Sequence, residues 1–195
     1  MKKIVLATNN KHKLKEIKEV LNNYEILSLE DINFHEKIEE NGQTFTENAL
    51  IKAKAIRKYL KDDTKILADD SGLCCESLNN APGIYSARYA KNHDDKANRD
   101  KVIENLKGLN HKAYFECVLV LLESNDNYKV FEGRTYGEII EEEKGDTSFG
   151  YDCIFLSDDL NKTFGEATDT EKNYCSHRGR ALEKLINYLE AKHDN

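Results

Sequence analysis

No part of this chain is apolar for long. The longest run, Cys117 to Leu122, covers six residues, whereas a helix crossing a bilayer needs about 20. The opening segment, Met1 to Ala7, loosely resembles a secretion signal. Its apolar part stops at the polar Thr8-Asn9-Asn10-Lys11, so it reads as a buried strand, and the expected compartment is the cytoplasm. Proline occurs once, as Pro82 in Asn79-Asn80-Ala81-Pro82-Gly83, a composition that reads as a turn. Cysteine is sparse: Cys74 and Cys75 are adjacent, and Cys117, Cys153 and Cys175 are scattered. No pair has the two-residue gap of a zinc ribbon or redox motif, so reduced, mostly buried thiols are expected. Positive charge is also outnumbered, with 29 Lys and Arg against 36 Asp and Glu and a net charge of -7. That balance counts against a nucleic-acid polymer, which rewards clustered cations, as partner. It leaves a single nucleotide open, because one triphosphate needs only a local group of cations and a metal ion.

The 195 residues, 39% hydrophobic and 33% charged, suit one sizeable globular domain. There is no internal repeat, low-complexity stretch or linker. Strand-like and helix-like segments alternate, which points to an α/β architecture. Ile4–Ala7 reads as a buried strand, followed by a helix with Leu14, Ile17 and Leu21 at helical spacing and Val20 beside them. Thr44-Phe45-Thr46-Glu47 fits a capping box. The helix it opens carries Ala49, Ala53, Ile56 and Leu60 on one side, with Lys52, Lys54, Arg57 and Lys58 expected on a solvated face. Lys65–Ala68 and Phe115–Leu122 are further strands, the second apolar on both faces and so central in its sheet. A turn at Ser124–Asn127 leads to strand Tyr128–Phe131, which Gly137–Ile140 extends. A last helix carries Leu182, Leu185, Ile186 and Leu189.

Four clusters have chemical potential. Asp69 and Asp70 follow a buried strand, at the position where α/β sheets place ligands, and precede a flexible Ser71-Gly72 turn. Carboxylates there suit Mg²⁺, and neighbours in extended chain point opposite ways, so one Asp is expected to face the ligand. The bland alternative is a solvated acidic turn. Thr8, Asn9, Asn10, Lys11, His12 and Lys13 combine short polar side chains, cations and a helix start, which can cradle phosphate or simply cap a helix. Phe149-Gly150-Tyr151-Asp152 offers aromatic rings beside a glycine, for stacking on a base or for a tight turn that tucks a ring into the core. Lys172, His177 and Arg178 include donors suited to a carbonyl on a base edge, or else mark a helix start with exposed charges. Glu36, Glu39 and Glu40 are a further carboxylate source, or a solvated acidic run. Together the clusters supply what a nucleotide hydrolase needs.

At this point the sequence resembles the inosine triphosphate pyrophosphatase family over nearly its whole length. LATNNKHK, ENGQTFTENALIKAKA, ILADDSGL, NAPGIYSARYA, SFGYD and EKNYCSHRGRAL occur in the family's order. The resemblance implies an elongated α/β fold with a long mixed sheet, flanking helices and two lobes around a central cleft, all in one catalytic domain of residues 1–195. It also implies a homodimer, Mg²⁺ as cofactor, and hydrolysis of ITP, dITP and XTP to the monophosphate and pyrophosphate, which clears the nucleotide pool. By the same match, Thr8 to Lys13 is the substrate-binding turn, with Thr8, Asn10 and Lys13 the matching polar positions. Glu40 and Asp70 are metal ligands, with Asp70 also the proton acceptor, and Ser71 contacts substrate. Phe149, Gly150, Tyr151, Asp152, Lys172, His177 and Arg178 recognise the base. Three departures stand out: Cys153 where proline is common, Phe164-Gly165-Glu166-Ala167 in place of an Ala-Glu-Leu type stretch, and Cys74-Cys75 after ADDSGL. The missing proline predicts a looser turn around Phe149.

Overall fold

A computed structural model describes residues 2–61, 63–124 and 127–192. Strand β1 (Lys3–Leu6) is the buried segment expected at the start. Helix α1 (Lys11–Val20) follows, with Asn10 as its cap: Asn10 Oδ1 accepts the N–H groups of His12 and Lys13. A short strand β2 (Glu25–Leu27), which the periodicity did not reveal, pairs in parallel with β1. Helix α2 (Phe45–Arg57) starts behind Thr44, whose hydroxyl accepts the Glu47 N–H at 3.1 Å. The Glu47 carboxylate reaches past the cap to the N–H of Gln43 at 2.6 Å.

Strand β3 (Lys65–Cys75) differs from expectation. It does not end at Ala68 in a flexible turn but runs straight through Asp69, Asp70, Ser71 and Gly72. The polar residues remain extended because neighbours on the protein satisfy them, as described below. Helix α3 (Asp95–Leu106) also escaped the sequence reading, since its buried face begins with Asn98 and Arg99 and turns apolar only at Val102 and Leu106. Strand β4 (Lys112–Leu122) is buried from Ala113 onward, and β5 (Tyr128–Ile139) is one strand where two fragments were expected. Asn125 and Asp126, in the turn expected between them, lie outside the described residues. So short a connection makes β4 and β5 antiparallel, since parallel neighbours need a crossover of a dozen or more residues. Strand β6 (Phe155–Ser157) pairs antiparallel with β5. Helices α4 (Asp169–Cys175) and α5 (His177–Ala191) close the chain. The reciprocal capping box belongs to α4, where Thr168 and Glu171 each accept the other's backbone N–H.

The six strands form one mixed sheet in the order β2-β1-β3-β4-β5-β6, with β3 and β4 central. The chain divides into two compact units. The first comprises Met1–Asp70, Val118–Glu132 and Ala181–Asn195. Its buried apolar residues include Ile4, Leu6, Ile17, Ile56, Leu67, Leu119 and Leu185. The second comprises Ser71–Cys117 and Gly133–Arg180. Its core gathers Leu73, Val102, Leu106, Phe115, Tyr151, Phe155 and Phe164. Within it Phe115 lies 4.6 Å from Phe155 and 6.0 Å from Phe164, ring centre to ring centre. All five cysteines are buried and free. Among the described residues no helix is long and apolar enough to cross a membrane.

Candidate active site

The parallel register of β1 and β3 pairs Leu6 with Leu67 and bonds the Ala7 N–H to the Leu67 carbonyl at 2.8 Å. It therefore sets the turn after β1 beside the Asp69-Asp70 stretch of β3. Lys13, in the first turn of α1, places its Nζ 2.8 Å from Asp69 Oδ2. Asp69 is 0% exposed, a burial that a carboxylate tolerates only with such a partner. Thr8 and Asn10 are engaged locally: the Thr8 hydroxyl accepts the Asn10 N–H at 3.1 Å, and Asn10 caps the helix. Asn9 lies in the same turn, and Lys11 and His12 are exposed on the first turn of α1.

Asp70 lies within the same unit among groups from α2 and the loop before it. Asn48 Nδ2 donates to Asp70 Oδ2 at 3.1 Å, while Asn48 Oδ1 accepts the Gly42 N–H at 2.8 Å and so fixes the loop that carries Glu40. One turn further along α2, Lys52 Nζ sits 2.8 Å from Glu40 Oε1. Lys52 is thus not on a solvated face, as its spacing had suggested. Its side chain is largely buried and its ammonium is gathered by carboxylates. Burial alone would lower its pKa, but Asp69, Asp70 and Glu40 outweigh that and raise it. Arg57 is likewise buried, donating to the carbonyls of Lys61 and Thr64, both at 2.6 Å. Burial pushes the Asp70 carboxyl up to about 6, with Glu40 adding to the rise and Lys52, Lys13 and Asn48 opposing it. A carboxylate in that range is suited to exchanging a proton near neutral pH.

Glu40 and Asp70 fit a hard divalent cation. Both offer carboxylate oxygens, the donors Mg²⁺ prefers. Among the described residues no three His, Cys, Asp or Glu side chains are arranged to hold a metal ion. A two-carboxylate donor set suits an ion that takes its remaining ligands from phosphate and water.

In the second unit, α4 and α5 meet at Ser176, whose hydroxyl accepts the Gly179 N–H at 3.0 Å. Arg178, 4% exposed, donates from Nη2 to Ser71 Oγ at 3.2 Å. The His177 ring stacks on Phe115, with centres 4.9 Å apart and planes 18° from parallel. Lys172 Nζ lies 2.6 Å from Asp152 Oδ2 and 5.9 Å from the centre of the Phe149 ring. Tyr151 belongs to the core: it is buried, and its hydroxyl donates to the Ser86 carbonyl at 2.6 Å. Phe149, by contrast, is only partly buried. The turn before Cys153, the residue that stands where proline is common, is hydrogen-bonded to α3. Gly150 donates to Asp95 Oδ2 at 2.9 Å and accepts from Arg99 Nη1 at 2.8 Å.

These observations describe an α/β protein with an acidic and lysine-rich cluster in its first unit and the side chains of Lys172, His177 and Arg178 gathered in its second, a make-up in keeping with a nucleotide-hydrolysing class. Residues 4–188 match the Ham1 family, and the chain belongs to that family. It is 49% identical to the dITP/XTP pyrophosphatase of Clostridium perfringens, over 97% of this chain and 98% of that one. It is 46% identical to the dITP/XTP pyrophosphatase of Bacillus subtilis, over 98% of each. The Ham1 protein of Coxiella burnetii superposes with a TM-score of 0.90 at 39% identity, covering 98% of this chain and 100% of that structure. The Staphylococcus aureus Ham1 protein gives 0.89 at 37% identity over the same shares.

Proposed function

We propose that this chain is a nucleoside triphosphate pyrophosphatase that hydrolyses ITP, dITP and XTP to the monophosphate and pyrophosphate, clearing deaminated purines from the nucleotide pool. The observation that carries the reading is the Asp70 environment: a carboxylate beside Glu40, with Lys52 and Lys13 at hand. Near-full-length identity to two dITP/XTP pyrophosphatases supports the same substrate class.

Glu40 and Asp70 would hold Mg²⁺. When bound, the ion neutralises phosphate charge and lowers the pKa of a bound water. Lys13 and Lys52 bind the triphosphate chain, exchanging their carboxylate partners for phosphate oxygens, while Thr8 to His12 line the turn beside it. Asp70 takes the proton from the water that attacks the α-phosphorus. The bond from that phosphorus to the bridging oxygen breaks, and pyrophosphate leaves. Ser71 contacts the substrate alongside. Arg178 and His177 donate to the six-position carbonyl of hypoxanthine or xanthine, and Phe149 stacks on the ring system within the Phe149–Asp152 loop, backed by Lys172. Adenine presents an amino group there, which leaves a buried donor unpaired at a cost of about 1–3 kcal/mol. We further propose that residues 1–195 act as a single catalytic domain, since the family match spans both units. A cytoplasmic homodimer is the matching setting, and light scattering tests the assembly.

The decisive experiment is a panel of nucleoside triphosphates, with and without Mg²⁺, with products identified. ITP and XTP should give monophosphate and pyrophosphate only when Mg²⁺ is present. Diphosphate and orthophosphate would refute the cleavage site, and binding without turnover would make the chain a nucleotide sensor. Asp70→Asn should retain most ITP binding and lose about three orders of magnitude or more in kcat. Near-normal turnover in that variant removes Asp70 from proton transfer.

A further inference from the structure

One helix grips Gly150 from both ends of the residue. Helix α3 carries Asp95 and Arg99 four residues apart, a spacing that puts them on one face. The Gly150 N–H donates to Asp95 Oδ2 at 2.9 Å, and the Gly150 carbonyl accepts from Arg99 Nη1 at 2.8 Å. The same nitrogen reaches the Thr147 carbonyl at 3.4 Å, and Arg99 Nε donates to Glu143 Oε1 at 2.8 Å. Arg99 is only 3% exposed, and a buried guanidinium is retained only where its partners are well placed.

The helix does not need either residue for its own ends. Asp94 is its cap and accepts the Ala97 N–H at 3.0 Å. Asp95 is therefore spare for the loop. Gly150 has φ of +53°, a left-handed conformation that glycine adopts at little cost, and a Cβ there would meet nothing within 4 Å. One side of this backbone faces open space while the other is fastened to α3. Phe149 is the residue immediately before the grip, and its ring is only partly buried.

We propose that Asp95 and Arg99 are positioning residues for base selection: by fixing the Gly150 peptide units they fix the direction of Phe149. This rests on the reading that Phe149–Asp152 faces the base. Neither residue touches the substrate; each acts through Gly150.

Because the chain has no tryptophan, Phe149→Trp provides a single tryptophan in the loop, excited at the red edge of its band where the ten tyrosines do not absorb. Arg99→Gln and Asp95→Ala, each placed in that background, should lower the nucleotide-free anisotropy of the tryptophan. In the otherwise natural chain both should reduce the ratio of kcat/KM for ITP over ATP by about tenfold or more, chiefly through KM for ITP. Arg99→Lys keeps a charge beside Glu143 but loses the fork, and should follow Arg99→Gln. A variant that merely lowers the folded fraction scales both substrates alike and leaves the ratio unmoved. If Arg99→Gln does not fold, Asp95→Ala carries the test. Phe149→Ala separates the two ways of failing. If it loses the ratio while the α3 variants keep it, the positioning role is wrong and base reading by the loop stands. If Phe149→Ala keeps the ratio too, base reading by this loop fails and takes the proposal with it.

Discussion

Lys52 and Lys54 lie two positions apart on α2, yet their environments differ entirely. Lys54 is exposed, whereas Lys52 sits 2.8 Å from Glu40 with Asp69 and Asp70 in electrostatic reach. Removing the ammonium leaves three carboxylates to repel one another in a poorly hydrated place. Lys52→Met should therefore cost about 1–3 kcal/mol in urea unfolding, less than a fully buried pair because Glu40 keeps some solvent. Lys54→Met should stay within about 0.5 kcal/mol of the parent. Equal effects from the two would mean that Lys52 is no more than a surface charge. The same residue shows where sequence reading stops. Lys52 stands beside Lys54, Arg57 and Lys58, and a cationic run on a helix is ordinarily solvated. What makes Lys52 different are carboxylates 12, 17 and 18 positions away in sequence, and no local pattern encodes that distance. The turn residues Thr8 to Lys13, the acidic pair and Lys172, His177 and Arg178 were legible as clusters. How they are engaged stayed open between two readings each, and at two points the blander one holds: Asn10 caps a helix, and Tyr151 is tucked into the core with its hydroxyl on Ser86.

Elements were legible where apolar spacing dominates. The first strand, the Phe115–Leu122 strand and the final helix with Leu182, Leu185 and Leu189 all declare themselves by burial of apolar side chains. β3 did not, because Asp69-Asp70-Ser71-Gly72 has the composition of a turn, while tertiary partners for each carboxylate keep the strand extended. α3 was missed for a related reason: its first buried turn is Asn98 and Arg99, polar residues held by loops, Asn98 Oδ1 accepting from the N–H groups of Ala90 and Lys91 and Arg99 donating to the Gly150 carbonyl. β2 and β6, three residues each, are too short for any period to register. The joint between α4 and α5 yields a prediction at this scale. A Cβ on Gly179 would lie 2.1 Å from the Asn173 carbonyl oxygen. Gly179→Ala must spread the two helices by moving backbone, which costs about 1–3 kcal/mol. Arg178 is the adjacent residue, so its 3.2 Å bond to Ser71 should be lost as well. Reduced thermal stability accompanied by reduced preference for ITP over ATP is the expected pair of results. A stable Gly179→Ala protein with unchanged preference would show that the joint tolerates the added methyl.

The first unit is assembled from three stretches of chain, and Glu123 touches all of them. It stands just beyond the end of β4, accepts from Lys65 at the start of β3 at 2.7 Å, and accepts from Tyr188 at 3.0 Å and Lys192 at 2.8 Å near the end of the chain. Burial by itself would raise the Glu123 pKa, but the hydrogen bonds from Lys192, Lys65 and Tyr188 outweigh it and hold the carboxyl at about 2, against 4.5 for the free group. A depressed carboxylate pKa favours the folded state wherever the unfolded chain is already ionised. The contribution is therefore complete above pH 4.5 and declines as pH falls toward 2. Glu123→Gln keeps the shape and removes the charge. It should cost about 1–2 kcal/mol at pH 7 once solvent screening of the partly exposed lysines is allowed for. Urea unfolding of the parent and the variant should give a constant difference from pH 7 to pH 5, and a shrinking one as the pH is taken below 4.5. High salt should narrow the gap at pH 7 as well, since Lys192 is half exposed. A gap that stays the same width at pH 3.5 would mean that packing around Glu123, and not its charge, fastens the three stretches together.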